Sequence, residues 1–396
     1  MPSELVKQAY KKSIELLQKN SSASGFLAAR PKRTKLNSLL HYDWIFGRDG
    51  SICSLAAVVS GQDKLIKIAR RTLITLARQQ TKQGQIPNAV NINETKIEYY
   101  YLSSVDATLW WLIAIKYYQK YSQDKKTYKL LEPRINKALR WLNYQTGGET
   151  NLIVQSQGGD WADIMPAHGH VLYSNILWYW LQDLYKLKGR DMTKAGIKTV
   201  FYPFKRQDNS IFYKKNFLYL RSRDFIRKRI KTTNYFLSYV STCTAGRHCD
   251  VYGNILALML NLPDIKLKKK ILNYFFKQKI STPYPVRVLD SPILKSEREW
   301  NEIMEKHNKN KPWHYHNAGI WPYVGGFWII MLQKIGQKKI AKIELEKLAL
   351  ANKINNWQFN EWLNGQTGQP QGMPGQSWNA AAFILAYHYL KGNFKL

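Results

Sequence analysis

Two carboxylates stand alone in long neutral, aromatic stretches. Glu361 is the single charged residue between Ile354 and Leu390, inside "NNWQFNEWLNGQTGQPQGMPGQSW" (355–378), with Trp357 and Trp362 on either side. Asp106 is the single charge in "YYYLSSVDATLWWLIAI" (99–115). Such a pair is what glycoside hydrolysis requires. One carboxylic acid protonates the leaving oxygen, and the other carboxylate serves as base for water or as nucleophile. Indole faces stack on sugar rings and exclude water, and burial among them disfavours the ionised form of a carboxylate. Taken singly, each residue has a plainer reading. Ser103-x-x-Asp106 resembles a capping box at a helix start, and Glu361 could be a surface loop residue. The two stretches together point to catalysis.

Three further constellations carry residues suited to a sugar site. "HYDWIFGRDGS" (41–51) offers Trp44 and the Arg48-Asp49 pair, a planar donor fork beside an acceptor pair that suits vicinal hydroxyls. The plainer reading of Asp49 is a helix N-cap. "GGDWADIMPAHGHVLYSNILWYWLQDL" (158–184) supplies Asp160, Trp161 and His168. "KPWHYHNAGIWPYVGGFW" (311–328) supplies His316, Asn317 and Trp321. Gln376 and Trp378 close the Glu361 stretch, and Trp110 lies one helical turn beyond Asp106 on the same face. His168/His170 and His314/His316 alternate as metal ligands can, but no Cys/His spacing completes a zinc site. Ring stacking and hydroxyl binding fit these residues better, so no metal or cofactor is expected. Trp178, Trp180 and Trp328 read as core.

The elements that must position these groups are helical. Apolar periodicity predicts helices near 3–19, 49–60, 63–80, 103–122, 127–144, 169–187, 190–205, 248–259, 264–277, 318–334, 337–353 and 375–391. Gly61, Gly147-Gly148 and Gly336 act as stops. "SIFYKKNFLYLRS" (210–222) reads as a hairpin inserted between helices. Twelve helices with alternating long and short linkers suggest six helical hairpins. Six hairpins can close into an (α/α)6 toroid, an all-α fold, here with small β-hairpin insertions. An open solenoid should show a repeated motif, and none is evident. No Pro/Ser/Gly-rich linker divides the chain, so 1–396 is expected to be one catalytic domain. The chemistry-bearing stretches fall in the long linkers, which a toroid gathers at one open end.

Lys and Arg number 60 against 27 Asp and Glu, a formal net charge of +33. That is the footprint of a nucleic-acid or anionic-surface binder. The basic residues are spread along the chain, however, with local concentrations at 221–231 and 266–279. Carboxylates repel phosphates, so a polyanion is a possible but not favoured partner. With 45% hydrophobic and 13% aromatic residues the chain can bury a large core. Apolar runs fall short of the roughly 20 residues that span a bilayer. The amphipathic N-terminus lacks the apolar core of a signal peptide. Cys53, Cys243 and Cys249 make no disulfide framework. A cytoplasmic protein is expected.

"DWIFGRDG", "SSVDATLWW", "HCDVYGNILALML", "WHYHNAGIWPYVGGFW" and "FNEWLNGQTGQPQGMPGQSWNAAAF" occur in that order from about residue 20 to the end. Together they resemble the catalytic domain of amylo-α-1,6-glucosidases, the C-terminal half of glycogen debranching enzymes. They also resemble the related neutral/alkaline invertases. The resemblance implies an (α/α)6 toroid and an inverting hydrolase, with Asp106 as general acid and Glu361 as general base. It also implies a sugar-binding Arg48-Asp49 pair, and a pocket lined by His316, Asn317, Trp321 and Gln376 to Trp378. There are departures. The chain has no room for the separate transferase domain of debranching enzymes. The Tyr-His-Asn-x-Gly block is nearer the invertases, and the "GQTGQPQGMPGQSW" ending nearer the glucosidases. "GGDWADIM" is similar to hydrolases of glucosyl- or mannosyl-glycerate. The first expectation is debranching-type hydrolysis of an α-1,6-linked glucosyl stub or short α-glucan. Sucrose cleavage is second and glycerate glycosides third. A carbohydrate-binding protein without turnover is the non-enzyme alternative.

Overall fold

The computed structural model describes residues 2–30, 41–99, 104–147, 150–204 and 217–396, with the backbone alone described for 217–222. Thirteen α-helices are present among the described residues. In chain order they are α1 (Glu4–Lys19), α2 (Gly47–Ser60), α3 (Asp63–Arg78), α4 (Val105–Ser122), α5 (Lys125–Tyr144), α6 (Leu172–Tyr185) and α7 (Arg190–Val200). They continue with α8 (Phe217–Arg229), α9 (Val251–Met259), α10 (Ile265–Lys277), α11 (Pro322–Lys334), α12 (Lys338–Trp357) and α13 (Ser377–Leu390). A helix lies at each of the twelve expected places. The extra one, α8, corrects the expected hairpin at 210–222. Residues 210–216 lie outside the described residues, and 217–222 open a helix whose last turn carries Arg227, Lys228 and Arg229, where cations meet the negative helix end.

Six helices form a closed inner ring. α2 packs on α4, α4 on α6, α6 on α9, α9 on α11, α11 on α13, and α13 returns to α2. The sequence explains which helices these are. Along α4, α11 and α13 nearly every side chain is buried, including Trp110, Trp111, Trp328 and Phe383. Apolar residues on all faces mark a helix that is surrounded. The outer helices bury one stripe instead. α10 buries Leu267, Ile271 and Phe275, at i, i+4 and i+8, while its lysines face outward. Ring closure between α13 and α2 excludes an open solenoid. The architecture is the all-α (α/α)6 toroid.

Five inner helices lead by a short turn into an outer helix that runs back, and the last, α13, packs on α1, so the inner N-termini gather at one end. The long linkers meet there and carry short antiparallel strands. β1 (Ile45–Phe46), β2 (Ala89–Val90) and β3 (Ile97–Glu98) form one sheet, with Ile45 opposite Val90 and Ala89 opposite Glu98. β4 (Thr146–Gly147) pairs with β5 (Leu152–Ile153), and β6 (His170–Val171) with β7 (Tyr239–Val240). β8 (Trp362–Leu363) pairs with β9 (Pro370–Gln371).

A repeat invisible in the sequence ties linker to ring. The fourth residue of three inner helices clamps backbone about twenty residues upstream. Thr108 Oγ1 accepts from the Ile86 N–H at 3.0 Å. Asn175 accepts from the Ile153 N–H at 2.7 Å and donates to its carbonyl at 3.1 Å. Asn254 does the same to Phe236, at 3.0 Å each way. Each clamp pairs buried backbone groups of the linker with the ring. Asn254→Ala leaves both Phe236 groups unpaired and is expected to cost about 2–4 kcal/mol. Urea unfolding, followed by far-UV circular dichroism, reads this directly.

Candidate active site

The helix starts set the first half of the site. α4 begins at Val105, so Asp106 lies in its first turn, where the positive helix end favours an anion. The N-cap is Ser104, whose side chain makes no capping bond to the helix backbone, and Ser103, on which the capping-box reading rests, lies outside the described residues. Ser104 Oγ instead donates to Asp106 Oδ1 at 3.0 Å. Oδ2 accepts from Arg48 at 3.1 Å and from the Tyr173 hydroxyl at 3.2 Å. Asp106 is fully buried.

Arg48 bridges two carboxylates, since its Nε also lies 3.3 Å from Asp49. Asp49 is no N-cap either. Phe46 caps α2, and Asp49 sits inside its first turn. Burial, with repulsion from Asp106, raises the Asp49 carboxyl above its ordinary value against the pull of Arg48. The Arg48 guanidinium lies 5.5 Å from the centre of the Trp378 ring. Trp378 in turn stacks on Tyr323 at 4.1 Å.

Glu361 comes from the linker before α13, immediately ahead of β8. It forms no salt bridge among the described residues. The Tyr42 hydroxyl donates to both of its oxygens, at 2.8 and 2.9 Å, and the Met373 N–H donates to Oε2 at 3.0 Å. Burial raises its pKa, and these hydrogen bonds with the more distant Lys309 charge oppose the rise. Glu361 lines a cleft of about 710 Å³ with Tyr42, Trp357, Trp362, Arg30 and Lys309. Asp49 is within electrostatic reach of both Asp106 and Glu361. A buried carboxylate held by a phenol and an amide, and a second held by an arginine, are groups of the kind that general acid–base chemistry uses.

Removing the phenol tests the base. The Tyr42 hydrogen bond favours ionised Glu361, so Tyr42→Phe raises the Glu361 pKa further. The acidic limb of the pH–rate profile is then expected to move up by about one pH unit. An unmoved limb would show that Tyr42 does not tune the base.

Trp161 organises a second aromatic group. It meets His316, Trp321, Tyr323 and Tyr252 edge-on, at 4.7, 5.4, 5.4 and 5.7 Å. His316 lies flat against Trp321, 4.9 Å between ring centres and 3° between planes. Burial pushes the His316 imidazole below its ordinary value. Asp160 is buried, accepting from Gln155 at 2.8 Å and from the Ala162 N–H at 2.8 Å. Burial and the Asp106 charge push its carboxyl up to about 6.

Other expected residues are placed away from the reacting groups. Trp110 is fully buried behind the site. Its Nε1 donates to the Tyr173 hydroxyl at 2.8 Å, so it supports the group that holds Asp106 rather than facing a ligand. Asn317 is also fully buried, its amide spent on the backbone of Ile293 and Asn310. That corrects a hydroxyl-binding role to one of holding the linker. Gln376 donates to the Met373 carbonyl at 3.2 Å and so braces the Glu361 turn. His168 is held by the Pro166 carbonyl and Thr244. Trp44 is half-buried against exposed His41. Sequence reasoning missed Tyr42, Tyr173 and Asp250. Each lies within or beside a quoted motif, but tyrosines are abundant in this chain and nothing in their spacing singles these out.

The alkaline and neutral invertase family matches residues 222–393. The chain is 22% identical to neutral/alkaline invertase 1, mitochondrial, of Oryza sativa subsp. japonica, over 92% of this chain and 67% of that protein. It is 22% identical to probable alkaline/neutral invertase A, chloroplastic, of Arabidopsis thaliana, over 89% of this chain and 65% of that protein. The chain thus spans about two thirds of the length of these relatives. Among solved structures, the GH63 mannosylglycerate hydrolase from Thermus thermophilus in complex with glucose superposes with a TM-score of 0.67 at 13% identity. That match covers 95% of this chain and 99% of the other. The likeness establishes a shared fold. Among the described residues no helix is long and apolar enough to cross a membrane.

Proposed function

We propose that this chain is an inverting glycoside hydrolase in which Asp106 is the general acid and Glu361 the general base. The roles rest on the resemblance of "VDATLWW" and "FNEWLNG" to the acid and base blocks of the family, and the observation that supports the reading is that both carboxylates are buried and held by fixed donors. Asp106 is clamped by Arg48, Tyr173 and Ser104 at a helix start, while Glu361 has no ion pair among the described residues and is held by Tyr42 and the Met373 amide. Asp106 gives its proton to the leaving oxygen. Glu361 takes a proton from water on the opposite face of the sugar, and the anomeric centre inverts. Inversion requires the two carboxyl groups to stand about 6.5–9.5 Å apart. Arg48, Asp49 and Trp378 bind the sugar beside them.

The substrate is a neutral glycoside, cleaved at its fructosyl bond if it is sucrose and at its glucosyl bond if it is an α-glucan. The family match and the curated relatives favour sucrose, which places invertase-type hydrolysis first. Hydrolysis of an α-1,6-linked glucosyl stub is second, on the "GQTGQPQGMPGQSW" block that holds Glu361. Whole 1–396 serves as one catalytic domain, in the cytoplasm. Glucose release from sucrose, panose and glucosylglycerate by the purified protein ranks these choices. Release from sucrose alone places it with invertase-type activity, and release from panose alone with debranching-type activity.

A further inference from the structure

A second cavity, of about 60 Å³, lies under Trp161. It has room for about four to six ordered waters, close to a polyol of roughly three carbons. Its polar lining is acidic. Asp160, Asp250 and Glu299 line it with His248 and His316, and among the described residues no Lys or Arg does. It adjoins the reacting groups, since Tyr173, which donates to Asp106, is part of its wall.

His316 marks the cavity as built for a ligand. The side chain is 2% exposed, and while Nε2 pairs with Asp163 at 3.6 Å, Nδ1 has no hydrogen-bond partner among the described residues. A buried ring nitrogen left unpaired is costly unless something polar enters beside it. Asp250 is fixed by its place as N-cap of α9, where it accepts from the Gly253 N–H at 3.0 Å. Glu299 accepts from the N–H groups of Arg247 and His248 at 2.8 and 3.3 Å. These carboxylates cannot swing away from an incoming ligand without breaking those bonds.

We infer that this cavity takes an uncharged, hydroxyl-bearing part of the substrate and excludes a carboxylate. This inference rests on the glycosidase reading of the neighbouring carboxylates. Hydroxyls can donate to Asp160, Asp250 and Glu299 and accept from His316. A carboxylate entering the same space meets three fixed acidic groups with no Lys or Arg in the wall among the described residues, while His248 is already held by Asp290 and Glu297. The cavity therefore selects neutral glycosides over glycerate-type ones, although the fold is shared with a mannosylglycerate hydrolase.

Saturation-transfer NMR on the full chain with glycerol and D-glycerate tests this. The samples are held at pH 8, with enough salt to screen the basic surface. Glycerol signal is expected to exceed glycerate signal at least about ten-fold. Asp250→Asn, which keeps the helix cap, and Asp160→Asn are each expected to raise the glycerate signal several-fold. Equal or stronger glycerate signal in the wild type overturns the inference, as does an absence of signal from both probes. Sugar release by wild type and Glu361→Gln is measured beside it. Glycerol preference without any hydrolysis would refute the catalytic reading and leave the selectivity standing. Hydrolysis with glycerate bound as well as glycerol would do the reverse.

Discussion

Glu361→Gln is expected to lower kcat by about 10³-fold or more while the fold remains intact, the upper part of the range for loss of a general base. The amide keeps the size of the carboxylate and can still accept from the Met373 N–H and from Tyr42, so the turn before β8 should hold. What it loses is the ability to take a proton from water. The helices are expected to unfold near the wild-type temperature, because Glu361 forms no ion pair among the described residues whose partner would be stranded. The acidic limb of the residual pH–rate profile should also vanish, since the group whose ionisation sets it is gone. Near-normal kcat in a folded Glu361→Gln protein would remove Glu361 from the chemistry.

Asp106→Asn carries the second large effect, and its signature differs. An asparagine cannot protonate a leaving oxygen, so hydrolysis of sucrose or panose is expected to fall about 10²–10⁴-fold. A glycosyl fluoride of the same glycone, glucosyl for panose or fructosyl for sucrose, whose leaving group needs little protonation, should lose far less. Steady-state kinetics on both substrates separates an acid from a group that merely shapes the pocket, which would damage both alike. Stability responds too. Asp106 is one of two carboxylates that neutralise buried Arg48, and Asp49 at 3.3 Å remains in the variant. The cost is expected near the low end of that for breaking a buried pair, about 3 kcal/mol. Thermal unfolding reads it beside the kinetics.

Most of the helices were legible because burial writes a period into the chain. α10 shows it plainly, with Leu267, Ile271 and Phe275 on one stripe among lysines. The inner helices were legible as elements too, although their continuous apolarity hides which neighbour each face meets. Residues 217–222, the described part of the expected hairpin at 210–222, were misread because alternating aromatic and basic residues satisfy a strand pattern as well as a helix. Asp106 and Glu361 stood out because a lone charge in a neutral aromatic stretch needs a reason. Trp110 and Asn317 were overread by the same logic. An indole on the right helix face, or an amide in the right motif, does not reveal whether its polar atom meets a ligand or a neighbour. Here the Trp110 N–H is taken by Tyr173 and the Asn317 amide by backbone. Tyr42 was missed because its partner lies 319 residues away, a pairing that exists only once the ring closes.

The most direct measurement is NMR of the anomer first released at the carbon whose bond breaks, glucose from panose or fructose from sucrose, by wild type and by Glu361→Gln. β-Glucose from panose, or α-fructose from sucrose, appearing before mutarotation, with no release from the variant, is the predicted result. Release of the retained anomer first, α-glucose from panose or β-fructose from sucrose, or equal release by the variant, would contradict inversion through Asp106 and Glu361.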